Sequence, residues 1–220
     1  MRKKDIQHDY EPLLLPIDKP FEKLSKQEAK RYFDWFISHV DERSEYVRSN
    51  VAEFLDLSLN ALDFSMESII PVWKWFLQAA EIQPTPKLRL NQLRNALVAR
   101  HKPEQFIDYI VEANNKELSL LSLYMIRDIG MYTGKSFLMN YPVLKWGYHT
   151  DTKKDSFANI PQLFGFVNYS YNPSFEMQFD PIHYAEMAAG NLLVGSATEN
   201  DLYDFCMRWV KWVPNNKASG

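Results

Sequence analysis

The chain has 220 residues, 46% hydrophobic and 24% charged, with a formal net charge of −3. This balance excludes wholesale disorder and lacks the basic surplus of a general nucleic-acid binder. No apolar run reaches the about 18 residues of a membrane span. Met1–Tyr10 is basic at its start but has no apolar stretch of the secretory-signal kind. One cysteine, Cys206, can form neither an internal disulfide nor a cysteine-rich zinc site, and it favours a reducing, cytoplasmic setting. Aromatic residues are abundant, with six Trp, 12 Tyr and 14 Phe. Such side chains build cores and supply rigid contact area at interfaces.

Residues 1–21 read as an irregular lead-in, because Pro12, Pro16 and Pro20 lie too close together for a helix. Ser25-Lys-Gln-Glu28 is a capping box that opens a helix carrying Ala29, Tyr32, Phe33, Phe36 and Ile37 on one face. Asp41 offers a second start ahead of Tyr46, Val47, Val51, Phe54 and Leu55, so residues 26–55 are one helix or two. Asp63 or Ser65 starts the helix through Trp73 and Leu77, with Pro71 tolerated near its beginning. Pro84 and Pro86 then break the chain. Leu88, Leu90, Leu93, Leu97 and Val98 mark an amphipathic helix, and Pro103 opens another with Phe106, Ile107, Ile110 and Val111 inward.

A long helix runs from Leu118 to Asn140 and stops at Pro142. Val143–His149 alternates as a strand, with Leu144, Trp146 and Tyr148 on one face and Lys145, Gly147 and His149 on the other. Residues 161–169 and 174–179 are the second and third strands of a small antiparallel sheet, separated from the first by a polar turn. Asp180-Pro181 starts a helix with Tyr184, Met187 and Ala188 inward. Ser196-Ala-Thr-Glu199 is a second capping-box pattern before Leu202, Phe205, Cys206, Trp209 and Val210. The expected fold is α+β and predominantly helical: helices over 22–141, a strand-rich stretch over 142–180 and two helices over 181–213. A sheet this small needs helices to pack on, which favours a single compact domain over 22–213 with a flexible tail over 214–220.

The chemical motifs are sparse. Gly130-Met-Tyr-Thr-Gly134-Lys135-Ser136 looks like a phosphate-binding loop, but its first glycine is one residue too close and it lies inside a helix. The better reading is that Gly130 and Gly134, one turn apart, admit another element close to the helix. His8, His39, His101, His149 and His183 form no HxxxH or HxH pair, and no metal or cofactor is expected. His149-Thr-Asp151 reads as a polar turn after a strand, and Cys206 as a buried, inert thiol beside Leu202, Phe205 and Trp209. Asp128, inside the long helix next to Arg127, pairs with a basic side chain or caps a neighbour. The cluster Trp146, Tyr148, Phe164, Phe166, Tyr169 and Tyr171 has few basic neighbours, which disfavours single-stranded nucleic acid as a partner.

Arg127-Asp-Ile-Gly-Met-Tyr-Thr-Gly134 with Leu144-Lys-Trp-Gly-Tyr148 resembles a pattern in uncharacterised cytosolic proteins of Firmicutes-type bacteria. Glu28–Phe36 and the phrase from Leu62-Asp-Phe-Ser65 through Trp75-Phe-Leu77 are similar to theirs as well. The resemblance spans most of the chain, and its motifs carry no assigned chemistry. Families of this look include immunity proteins against bacterial toxins, which implies a binding role.

Two functions stand side by side at this point, and no catalytic residue is assigned in either. The first is a cytosolic interaction module, toxin-neutralising or adaptor-like, that binds another protein through Trp146 and Tyr148. The alternative is an enzyme or small-ligand binder with a cleft between the helical half and the sheet, using Asp128, Tyr132, Lys145 and His149.

Overall fold

The structure is a computed structural model that describes residues 10–150, 157–168 and 176–214. Its described elements are α1 (Lys26–Leu55), α2 (Ile69–Ala79), β1 (Ile82–Pro84), α3 (Lys87–Ala99), α4 (Glu104–Ala113), β2 (Lys116–Leu118), α5 (Leu120–Asn140), β3 (Lys145–Gly147), β4 (Gln162–Val167), β5 (Glu176–Phe179), α6 (Pro181–Leu193) and α7 (Asp201–Val210). The fold is α+β and predominantly helical, with two small antiparallel sheets.

Residues 26–55 form one continuous helix of 30 residues, so Asp41 is not a second start. The capping box at its head is present in full: Glu28 N–H donates to Ser25 Oγ, and Ser25 N–H to Glu28 Oε2. Asp56 closes it in the left-handed region at φ 53°. Asp41 instead faces α5, where with Glu45 it holds Lys135 at 3.1 and 3.4 Å. That pairing accounts for the lysine of the apparent phosphate loop.

The helix α5 is the axis of the molecule. It packs on α1, α2 and α6, and nearly every residue from Met125 to Phe137 is buried. A helix that is apolar almost all round belongs inside. Its two glycines act as notches. A Cβ on Gly130 would sit 2.5 Å from the Ile182 side chain at the head of α6, and one on Gly134 would sit 2.1 Å from the Trp146 ring. Strand β3 and helix α6 therefore approach α5 where side chains are missing.

The three-stranded sheet has the order β3-β4-β5, with Trp146 opposite Leu163 and Leu163 opposite Phe179. Between Leu163 and Phe166 the register slips by one residue at Gly165, whose φ is +108°. This bulge lets Leu163 and Phe166, three apart, both reach the core, where period two alone would separate them. There Phe137, Phe166, Phe179, Tyr184 and Trp209 pack ring against ring at 4.9–6.0 Å between centroids. One contiguous apolar cluster joins α1, α2, α5, the sheet, α6 and α7.

Several local expectations change. Residues 82–84 and 116–118 pair as a ribbon, Pro84 opposite Lys116, and α3 and α4 form a helical hairpin at its end. The amphipathic pattern of α3 buries nothing: Leu88 is 70% exposed, and in α4 only Ile107 is buried. The two helices pack chiefly on each other, so their apolar faces have no core to meet. Met187 points outward, because the buried stripe of α6 is Ala185, Ala188 and Ala189. Ser196 and Glu199 do not form a box. Asp201 accepts from Thr198 N–H and Oγ1 instead, and Glu199 pairs with Lys74 at 2.9 Å. Residues 10–20 of the lead-in form no helix or strand, and with Phe21 they lie as a strap over α1 and α5. Tyr169, Tyr171 and Asp151 fall outside the described residues, as do most of the tail and the first nine residues.

Candidate functional site

The sequence-selected residues do not share one place. Asp128 is wholly buried and accepts from Arg43 Nη2 at 2.5 Å, Arg43 Nε at 3.1 Å and the Tyr10 hydroxyl at 2.5 Å, all on Oδ2. Burial and then the Asp128 charge hold the Tyr10 hydroxyl well above its usual range. Tyr132 meets Ser68 Oγ at 2.8 Å, and burial pushes its hydroxyl up to about 12. Trp146 is half-buried, edge-on to Phe36 of α1 at 5.1 Å, and Tyr148 packs on Phe33 at 4.8 Å. The aromatic face of β3 is thus covered by α1. Lys145 is exposed, and His149 is half-buried with its carbonyl accepting Asn159 N–H at 2.8 Å. Cys206 is fully buried, and burial pushes its thiol up.

A cavity of about 610 Å³ lies elsewhere, where the strap, α1, α5, the turn before β4 and the head of α6 meet. Its apolar wall includes Leu15 and Phe21 of the strap, Leu123 of α5, Phe157 and Ile182. Polar groups converge on it from three helices: Tyr32 of α1, Arg127 of α5, and Asp180, His183 and Glu186 at the head of α6. The volume and the mix, mostly apolar with a few placed polar groups, are those of a small-molecule site. A smaller hollow of about 220 Å³ shares Phe157, Asp180 and His183 with it.

Local sequence sets this geometry. Asp180 caps α6 by accepting Ile182 and His183 N–H on Oδ1 at 3.0 and 3.1 Å, and Pro181 fixes the first turn. Capping holds the Asp180 carboxylate in a buried position, and burial pushes its carboxyl above the usual range against those N–H bonds. The Tyr32 hydroxyl is likewise pushed up by burial; the Arg127 charge opposes the rise and that of Asp180 adds to it. The Tyr32 hydroxyl therefore feels both charges that line the cavity beside it. Asn159, at φ 66°, donates from Nδ2 to the Phe21 carbonyl at 2.9 Å and ties the turn before β4 to the strap.

Arg127 is 7% exposed. Its Nη2 donates to the Leu13 carbonyl, and its guanidinium lies 5.1 Å from the Tyr124 ring centroid. No carboxylate among the described residues lies within ion-pair distance, and Nε is buried without a hydrogen-bond partner. Its sequence neighbour Asp128 faces the other way, to Arg43.

The cavity residues were visible in the sequence only as other things: Tyr32 as core, Arg127 as the neighbour of Asp128, Asp180 as a cap. The usable signal was a second stripe on α5, Leu120, Leu123, Tyr124 and Arg127, alongside Asp180, His183 and Glu186 at intervals of three on α6. Among the described residues, no group of three or more His, Cys, Asp or Glu is placed to hold a metal ion, and no helix is long and apolar enough to cross a membrane. No family model, curated protein or solved structure matches the chain.

Proposed function

We propose that this protein binds a small, mostly apolar molecule in the cavity between the strap, α5 and α6. The observation that carries this reading is the cavity itself: about 610 Å³, apolar in most of its lining, with Tyr32, Arg127, Asp180 and His183 converging on it. It keeps the small-ligand alternative and moves it away from Asp128, Tyr132, Lys145 and His149, whose side chains serve packing, ion pairing or the surface. A cytoplasmic location belongs to the same reading, supported by a single buried thiol.

The test uses Nile red, a neutral dye that brightens in apolar surroundings. The wild type should bind it with a blue-shifted emission, and Leu123→Trp should abolish that binding. Leu123 is 43% exposed, so a larger ring there fills the cavity without straining the core. Dye binding that survives Leu123→Trp, or no binding by the wild type, overturns the proposal.

A second reading, a protein partner, is favoured by the hairpin of α3 and α4. Leu88 and Tyr109 are each 70% exposed there, with Val98 and Phe106 also open. Exposed apolar groups on an appendage are what a protein contact uses, and the immunity-like or adaptor role attaches to this surface. Leu88→Ser with Tyr109→Ser should remove a captured partner that wild type retains. An unchanged captured set refutes it.

A further inference from the structure

We infer that the ligand carries a single carboxylate, which Arg127 holds while the apolar wall takes the rest of the molecule. This rests on the small-ligand reading above and adds the chemical class.

Two arginines meet α5 in different states of compensation. Arg43 is 5% exposed and compensated by Asp128 at 2.5 Å. Arg127 is almost as buried, but it has no carboxylate within ion-pair distance among the described residues. A charge withdrawn from water without a partner is costly. A guanidinium has five N–H donors in a planar fork that matches a carboxylate. Here only one described hydrogen bond is made, to the Leu13 carbonyl, and Nε is left buried and unpartnered beside the cavity.

That single bond and the Tyr124 contact account for Arg127 as a tie to the strap. A neutral amide side chain would serve that tie without burying a charge. A wholly apolar occupant would seal the guanidinium further from water and deepen its cost. An acid group would complete it with charge-assisted hydrogen bonds.

The rest of the lining narrows the class. Asp180 and Glu186 face the same cavity, and two carboxylates there oppose a dianion such as a phosphate monoester. A monoanion placed against Arg127 meets the least repulsion. Leu15, Phe21, Leu123, Phe157 and Ile182 then define an apolar body. The predicted ligand is an amphipathic monocarboxylic acid.

The test titrates the full chain by calorimetry with two pairs matched in shape: decanoate against decanol, and phenylbutyrate against phenylbutanol. The fatty pair is kept below its micelle-forming concentration. At least one acid should bind the wild type more tightly than its alcohol. Arg127→Gln should weaken the acid by about ten- to a hundredfold, the range for hydrogen bonds to a charged group, and leave the alcohol within about twofold. Arg127→Lys, which keeps the charge and loses the fork, should fall between them, and it carries the same comparison if Arg127→Gln fails to fold. If an alcohol binds as well as its acid, or Arg127→Gln weakens both equally, the acid inference is overturned and the cavity reading stands. If none of the four binds and Nile red does not either, both are overturned together.

Discussion

Gly134→Ala is the sharpest probe of how β3 is seated. A Cβ there would lie 2.1 Å from Trp146 Cζ2 and 2.6 Å from Cη2, about 1.4 Å inside the shortest ordinary carbon contact. The ring has no easy retreat, because Phe36 stands edge-on to it at 5.1 Å. Overpacking of this kind costs about 1–3 kcal/mol, and an overlap this deep belongs at the upper end. Against it stands the gain of alanine over glycine inside a helix, about 1 kcal/mol. The net expectation is destabilisation by about 1–2 kcal/mol, which at about 2–4 °C per kcal/mol for a chain of this size lowers Tm by several degrees. Trp146→Phe removes the distal ring atoms that collide. In that background Gly134→Ala should change sign and stabilise by up to about 1 kcal/mol, since only helix propensity remains. Urea unfolding followed by circular dichroism measures all four corners of the cycle. If Gly134→Ala stabilises the wild type, or has the same sign in both backgrounds, the notch is not what admits Trp146.

Asp128→Asn strands the Arg43 guanidinium in the core and should cost about 3–5 kcal/mol by urea unfolding; Tyr10→Phe, which removes one donor to that carboxylate and no charge, should cost about 1.5–3 kcal/mol. A smaller effect for Asp128→Asn than for Tyr10→Phe refutes the ordering. Because burial raises the Asp180 carboxyl, the native chain holds its proton to higher pH than the unfolded chain, so this group costs stability as pH rises beyond about 4. Asparagine caps equally well, and Asp180→Asn should flatten that decline in urea midpoints measured between pH 4 and 7; an unchanged or steeper slope counts against it. Cys206 should resist a maleimide in the folded protein and react at the rate of global opening, because its thiol is wholly buried. Rapid labelling of the native chain refutes the burial.

The helices were legible where periodicity and caps agree. Ser25 and Glu28 announce α1, Asp180-Pro181 announces α6, and the largely apolar stretch before Pro142 marks the long helix α5. The two glycines of the false phosphate loop are notches, as their one-turn spacing implied. What the residues hide is any arrangement whose parts are distant in sequence. Pro84 and Lys116 pair across 31 intervening residues that hold two helices and not a hairpin turn, so β1 and β2 have no local signature. The strap reads as irregular because its proline spacing says only what it is not; its anchoring depends on Asp128, Arg43 and Arg127. The cavity is hardest of all, since the residues that line it also satisfy ordinary core and cap patterns. Arg127 became informative only once Asp128 was seen to serve another partner.

The ribbon of β1 and β2 makes residues 85–115 a closed detour. The chain departs at Pro84 and returns at the residue opposite, so the path of the body is the same whatever lies beyond the ribbon. Such a port is a natural place for exchange: the detour can be trimmed, lengthened or replaced while α2 and α5 keep their packing. It also divides the labour of change. Alterations in α3 and α4 redraw the outer profile of the molecule at little cost inside, whereas the strap and the head of α6 tolerate fewer, because Leu15, Phe21, Ile182 and His183 line the cavity and Asp180 caps the helix that carries two of them.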